Sequence, residues 1–287
     1  MRSGTAPSAG NSMEASVEAA VLDVLSKSGL NGGPYWSRAD GDMHAPAGFS
    51  TIDVINVLGD LGVSATDHPI VEKAATFALE RSDGRGGFRY TPKGGELPCL
   101  NARIAAGLRK LGVEDDRIHA AYAKFLSTQE EDGGWRCKTV RLGKSPETDA
   151  SNPGTTLFVL DAFRFRANGT DDLVRLERAV EFLLGHWVTK KPLGPCAFGI
   201  GNRFASIEFP FLRYNILYFA YVLSSYPKAV ADPRFAEVVA VLRAKSEGCA
   251  IRVETPHKAW ERYPFAAKGL ANAAASAKWA EILRNCP

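Results

Sequence analysis

A glycine-rich corner followed by an aromatic ring recurs along this chain, and its spacing constrains the fold more than any other feature. The fullest copy is Gln129-Glu130-Glu131-Asp132-Gly133-Gly134-Trp135. A helical stretch ends before it, and Asp132-Gly133-Gly134 supplies backbone that tolerates φ > 0. Trp135 brings a large apolar area and one N–H that needs a partner, so its ring should plug back toward the helix end. Gln129 is placed to cap that helix or to brace the loop. Ser82-Asp83-Gly84-Arg85-Gly86-Gly87-Phe88 repeats the pattern. Weaker copies end at Trp36, Phe198 and Ile251. The five plug residues are separated by 52, 47, 63 and 53 residues.

Between the breaks the apolar residues recur with helical periodicity, and no convincing alternating strand appears. The pattern predicts ten helices: Met13 to Ser28, Ser50 to Leu61, Pro69 to Arg81, Cys99 to Leu111, Asp116 to Gln129, Thr155 to Phe165, Asp171 to Val188, Phe211 to Tyr226, Asp232 to Ser246, and Lys268 to Arg284. A period near fifty with two helices in each means helical hairpins stacked side by side, because one hairpin cannot bury both its faces. Such an array stays an open solenoid or closes on itself. Leu61-Gly62-Val63 and Leu111-Gly112-Val113 are short turns, whereas the glycine–aromatic loops are long. The long loops should therefore emerge together at one end.

Composition removes several function classes. The net charge of +3, with no Lys/Arg block, gives no case for nucleic acid. Five cysteines without a CxxC pair read as reduced thiols in a cytoplasmic compartment rather than a disulfide framework. Residues 1–12 are small and polar and lack the apolar core of a secretory signal, so they read as a disordered tail ahead of a single domain over residues 13–287. The most apolar run, Phe209 to Leu223, contains Arg213 and Asn215 and is too short and polar to span a bilayer. Peripheral membrane contact stays open.

The Gln…Gly-Gly-Trp/Phe element, in its copies at 129–135 and 83–88, resembles the repeat of the prenyltransferase and squalene-oxidase family, which includes protein prenyltransferase β-subunits and squalene–hopene-type cyclases. The resemblance runs from about Val17 to the C-terminus. It implies an all-α protein, an α/α toroid with an inner ring of helices inside an outer ring. About five hairpins are present where a full family toroid has six. Either the loop Trp36 to Phe49 fills the gap or the ring is incomplete.

The resemblance implies three chemistries. Class II cyclases use an Asp-x-Asp-Asp acid; the matching segment here is Asp149-Ala150-Ser151-Asn152, which keeps only the first carboxylate. Protein prenyltransferases bind zinc through Asp, Cys and His; Cys99, Cys137, Cys196 and His257 lie near successive breaks and are the candidate zinc ligands. Zinc needs three or four such ligands converging on one point, and none of these pairs has local zinc spacing. Glu208, Arg213 and Tyr214 open an inner helix whose aromatic residues could face a carbocation, and Arg213 could equally receive an anionic group. The alternative reading takes Glu208 with Arg213 as a plain ion pair, and the aromatic stripe as plain core. His257 is a candidate general base. Asp149, Glu208, Arg213, Tyr214 and His257 form the catalytic candidate set. The expected activity is that of a terpenoid cyclase- or prenyltransferase-like enzyme acting on an isoprenoid or other apolar small molecule in a central cavity. A non-catalytic binder of apolar ligands and a zinc-thiolate transferase-like protein are the alternatives.

Overall fold

The computed structural model describes residues 9–137, 149–167, 169–194 and 198–286, with side chains from residue 16 onward. Ten helices of eight residues or more lie among the described residues: α1 (Ala9–Ser26), α2 (Thr51–Asp60), α3 (Pro69–Leu79), α4 (Pro98–Lys110), α5 (Asp116–Ser127), α6 (Pro153–Phe163), α7 (Thr170–Thr189), α8 (Ile216–Leu223), α9 (Pro233–Ala244) and α10 (Ala273–Asn285). The even-numbered helices form the inner ring, packed in chain order, and the odd-numbered ones lie outside them. Every residue of α6 and α8 is buried. Outer α5 is amphipathic: it buries Ile118, Ala121, Tyr122 and Phe125, one stripe at helical spacing. The only sheet among the described residues is the small hairpin Ser246–Glu247 with Ala250–Ile251, around the last glycine corner.

Side-chain caps fix where the inner helices begin. Ser50 and Asp53 form a reciprocal capping box at α2. Asn152, Asn215 and Asn272 accept from the backbone N–H groups of Thr155 (2.9 Å), Tyr218 (3.0 Å) and Ala275 (2.9 Å). These caps correct two expected boundaries: α8 begins at Ile216 rather than Phe211, and α10 at Ala273 rather than Lys268. Helix α1 begins at Ala9, inside the stretch expected as a tail.

The aromatic plugs act as their chemistry requires. Trp135 Nε1 donates to Phe125 O at 2.8 Å, and Trp36 Nε1 donates to Val24 O at 3.1 Å, each closing the end of the preceding helix. Gln129 braces the loop: its Nε2 donates to Gly133 O (2.6 Å) and to Arg175 O on α7 (2.8 Å). Gly133 has φ +92°, and a Cβ there would sit 2.5 Å from Arg178 O, so no other residue fits this corner.

The long loops gather at the N-terminal ends of the inner helices and bond to one another. Met43 N donates to Tyr90 O at 2.8 Å, and Ile207 N donates to Glu254 Oε2 at 2.8 Å. Trp260 Nε1 donates to Gly48 O, and its ring packs on Phe49 with centroids 4.8 Å apart. The first loop thus meets the last and fills the gap between first and last hairpins at this end. At the other end, Ala65 N donates to Leu111 O at 2.9 Å and joins two short turns. There a cavity of about 610 Å³ remains between α1, the end of α2 and α10. Among the described residues no helix is long and apolar enough to cross a membrane.

Trp135 is 2% exposed and carries both packing and a buried hydrogen bond. Trp135→Ala is expected to lower the unfolding free energy by about 3–5 kcal/mol in urea titrations. Arg136→Ala, which removes an exposed pair with Asp149, should cost under about 1 kcal/mol.

Candidate active site

Glu208 lies in the loop that leads into α8 and is 3% exposed. Arg213, five residues on and half-buried, holds it: its Nε sits 2.8 Å from both carboxylate oxygens. Burial pushes the Glu208 carboxyl above its ordinary value, and the pull of Arg213 offsets this only in part. The site therefore contains a carboxyl biased toward keeping its proton, beside a cation that stabilises the carboxylate once the proton leaves. Aromatic residues follow it in the loop and in α8. Phe209 and Phe211 have centroids 5.2 Å apart, Phe211 stacks on Tyr218 at 4.7 Å, and Phe211 meets Tyr221 at 5.3 Å.

Two histidines from other loops join this rim. His257 lies against Gly48, where a Cβ would fall 2.0 Å from the imidazole, so the first loop can approach only as glycine. Burial, together with the cation of Arg213, holds His257 below the usual histidine value. His44 is also lowered, by burial and then by Arg103. Its Nδ1 is buried and has no hydrogen-bond partner. Beneath it Arg103 Nη2 donates to Asp53 Oδ1 at 2.8 Å, and Asp53 Oδ2 accepts from the N–H of Gly48 at 2.7 Å. Burial alone would raise the Asp53 carboxyl, but Arg103 and the Ser50 hydrogen bonds outweigh it and leave it lowered.

The remaining sequence candidates fall elsewhere. Asp149 is exposed and pairs with Arg136 at 2.8 Å. The two positions after Ala150 that lack carboxylates do structural work. Ser151 Oγ donates to Asp132 Oδ1 at 2.6 Å, and Asn152 caps α6. Tyr214 is buried with its hydroxyl 3.0 Å from His186 Nδ1 on outer helix α7, and burial pushes its phenol well above the usual range. It faces the outer layer rather than Glu208, because α8 begins at Ile216, five residues after Phe211, and leaves Tyr214 in the loop ahead of the helix. Cys137 is buried and Cys99 half-buried, while Cys249 is exposed. Cys196 lies outside the described residues. Among the described residues no three His, Cys, Asp or Glu side chains are grouped as a metal ion requires.

The sequence reading missed a second buried cluster, at the C-terminal ends of the inner helices. Lys110 Nζ lies 3.0 Å from Asp60 Oδ1 and 2.8 Å from Asp161 Oδ2, linking α4 to α2 and α6. Tyr218 of α8 donates to Asp161 at 2.7 Å. Arg164 bridges Asp161 to Glu281 of α10, both at 3.1 Å. All five inner helices are thereby joined. One signal could have found it: Asp60, Lys110 and Asp161 stand 50 and 51 residues apart, one repeat period each.

Comparison with family models gives no match, and neither does comparison with the curated proteins. Solved structures do match. The structure is similar to a variant of type II terpene cyclase MstE from Scytonema in complex with geranylgeranyl dihydroxybenzoate, its substrate. The TM-score is 0.51 at 17% identity, over 95% of this chain and 72% of that one. A second MstE variant, in complex with the product merosterolic acid A, gives 0.51 at 16% identity over 96% and 74%. The chain has a terpene cyclase fold. At this identity the likeness concerns the arrangement of helices, and the site residues rest on the geometry above.

Lys110→Met leaves Asp60 and Asp161 buried without their cation and should cost about 3–5 kcal/mol in denaturant titrations. The histidines set a pH dependence. His44 and His257 are lowered in the fold, so their neutral forms favour it; that stability is complete above the unfolded value of about 6.5 and falls as pH drops through the folded values. Unfolding free energy should decrease from pH 7 to pH 5, with a shallower slope in His44→Asn.

Proposed function

We propose that the chain is a terpenoid cyclase- or prenyltransferase-like enzyme whose substrate is an isoprenoid or comparably apolar small molecule, with Glu208 as its acid. The observation that carries this reading is the Glu208 carboxyl: 3% exposed, held by Arg213, and raised by burial above its ordinary value, in a loop that continues into Phe209 and Phe211. Glu208 would donate its proton to an alkene carbon of the substrate. The electron pair of the double bond forms the new C–H bond, and positive charge is left on the neighbouring carbon. The rings of Phe209 and Phe211 are suited to steady that charge. Arg213 stabilises the carboxylate left behind, which makes the protonated form a stronger donor than burial alone would. His257 and His44, held neutral, are the groups at the rim able to accept a proton at the end of the reaction. The fold's likeness to a cyclase that has a geranylgeranyl-bearing substrate supports the substrate class.

A second reading, a non-catalytic binder of the same ligands, is favoured by one observation. The cyclase acid position is reduced to an exposed Asp149, with Ser151 and Asn152 used for capping. One experiment separates the two. Purified protein is incubated with geranylgeraniol and geranylgeranyl-substituted aromatic acids, and products are sought by mass spectrometry coupled to chromatography. The enzyme reading predicts new isomers of unchanged mass and at least about a hundredfold loss of rate in Glu208→Gln with ligand binding retained. Tight binding without any turnover in the wild type would favour the binder. Neither binding nor turnover would overturn both.

A further inference from the structure

Arg213 holds Glu208 by one edge only. Its Nε donates to that carboxylate, and no described residue accepts from its Nη1 or Nη2. A guanidinium carries its N–H donors in one plane, and an oxyanion prefers two of them side by side. The Arg213 side chain is 32% exposed, and neither Nη is closed off from solvent. The acid is thus covered, while the guanidinium beside it presents an unused, reachable pair of donor groups to the rim.

Charge points the same way. The field of Arg203 reaches both Glu208 and His257, and that of Lys258 reaches His257. The carboxylates nearby are already matched: Asp53 takes Arg103 at 2.8 Å, and Glu254 takes Lys245 at 2.8 Å. Arg213, Arg203 and Lys258 therefore face Glu208 as three cations against one carboxyl. His257 adds a donor. Its Nδ1 accepts from the N–H of Ala259 at 3.2 Å, so the neutral ring carries its proton on Nε2.

We propose that the unused edge of Arg213 receives an acidic oxygen head group, carboxylate or phosphate, on the apolar ligand, and that its arrival arms Glu208. The inference rests on the reading of Glu208 as the acid and adds what governs it. Binding is non-covalent. The bound anion cancels the pull of Arg213 on Glu208 and brings a negative charge beside it; both effects tighten the carboxyl's hold on its proton, which is taken up from solvent. The acid is then most fully protonated when ligand is present. Nε of Arg213 stays on Glu208 to receive the carboxylate after proton transfer. An alcohol exerts neither effect, and an ammonium is repelled by the three cations. By linkage, protonation of Glu208 favours the anion as much as the anion favours the proton.

The test uses the full chain and four probes of equal chain length: n-dodecyl phosphate, dodecanoate, 1-dodecanol and n-dodecylamine, each below its micellar concentration. None has a double bond, so binding is read without turnover. Titration calorimetry at neutral pH should show an acidic probe binding at least about tenfold tighter than the alcohol or the amine. The tighter of the two acidic probes names the head group. Arg213→Gln should bring the acid and alcohol affinities to within about threefold of each other. In carbon-13 NMR, saturating dodecyl phosphate, which stays anionic through the titration, should raise the Glu208 midpoint by about half a pH unit or more, and dodecanol should leave it in place. Binding of no probe would remove the apolar-ligand reading together with this one. Equal binding of all four, an unmoved midpoint, or acid preference retained in Arg213→Gln would leave that reading standing and overturn this inference. If Arg213→Gln fails to fold, the probe series and the midpoint still decide.

Discussion

Lys110 is the single group on which the ring depends. It stands at the last residue of α4, where a cation also suits the helix terminus, and it bridges carboxylates on the helices to either side. Burying such charges carries a desolvation penalty of several kcal/mol for each, recovered only if every partner is in place. Burial accordingly works against the charged form of Lys110, but Asp161 and Asp60 more than compensate and hold the ammonium above its ordinary value. The bridge from Asp60 through Lys110, Asp161 and Arg164 to Glu281, with Tyr218 of α8 donating to Asp161, ties the inner helices together by side chain as well as by packing.

The two ends of the ring divide the work. At the C-terminal end of the inner helices the charges pair with one another, Asp60 Oδ2 alone of the Asp60, Lys110 and Asp161 charged atoms being buried without a partner. At the N-terminal end the loops bring charge to a rim that solvent partly reaches. Arg213, His44 and His257 are all half-buried there, around a Glu208 that is almost wholly covered. The asparagine caps of α6, α8 and α10 fix the entry of each loop, so the rim residues are carried on anchored chain rather than on free termini. Asp53 shows how closely the two roles meet. It caps α2, receives Arg103 from the next inner helix, and contributes to the field felt by both rim histidines.

The fold was legible in the sequence because its determinants are local and repeated. Glycine corners with an aromatic plug about every fifty residues gave the hairpins, and Trp135 and Trp36 bond to the preceding helix ends as their lone N–H groups demand. Helix starts were less legible where a cap lay inside an apolar run: Asn215 stops α8 from reaching back to Phe211, and that alters which way Tyr214 points. The candidate site was legible only in part. Glu208, Arg213 and His257 do gather at the rim, whereas Asp149 is exposed and pairs with Arg136, and among the described residues Cys99 and Cys137 join no group of three possible metal ligands. Lys110 and Asp161 each look ordinary in the chain. Their partnership depends on neighbouring repeats placing the same helical position side by side, which a reading of single motifs does not reveal.

For the chemistry, everything turns on whether Glu208 holds its proton more firmly than a solvated glutamate despite the guanidinium beside it. Carbon-13 NMR of the labelled side-chain carboxyl, titrated across the acidic range with Glu208→Gln to assign the signal, measures this directly. A midpoint above 4.5 is the predicted result. A midpoint at or below 4.5 would mean that Arg213 dominates, that the carboxyl is an ordinary structural ion pair, and that the proposed acid is wrong.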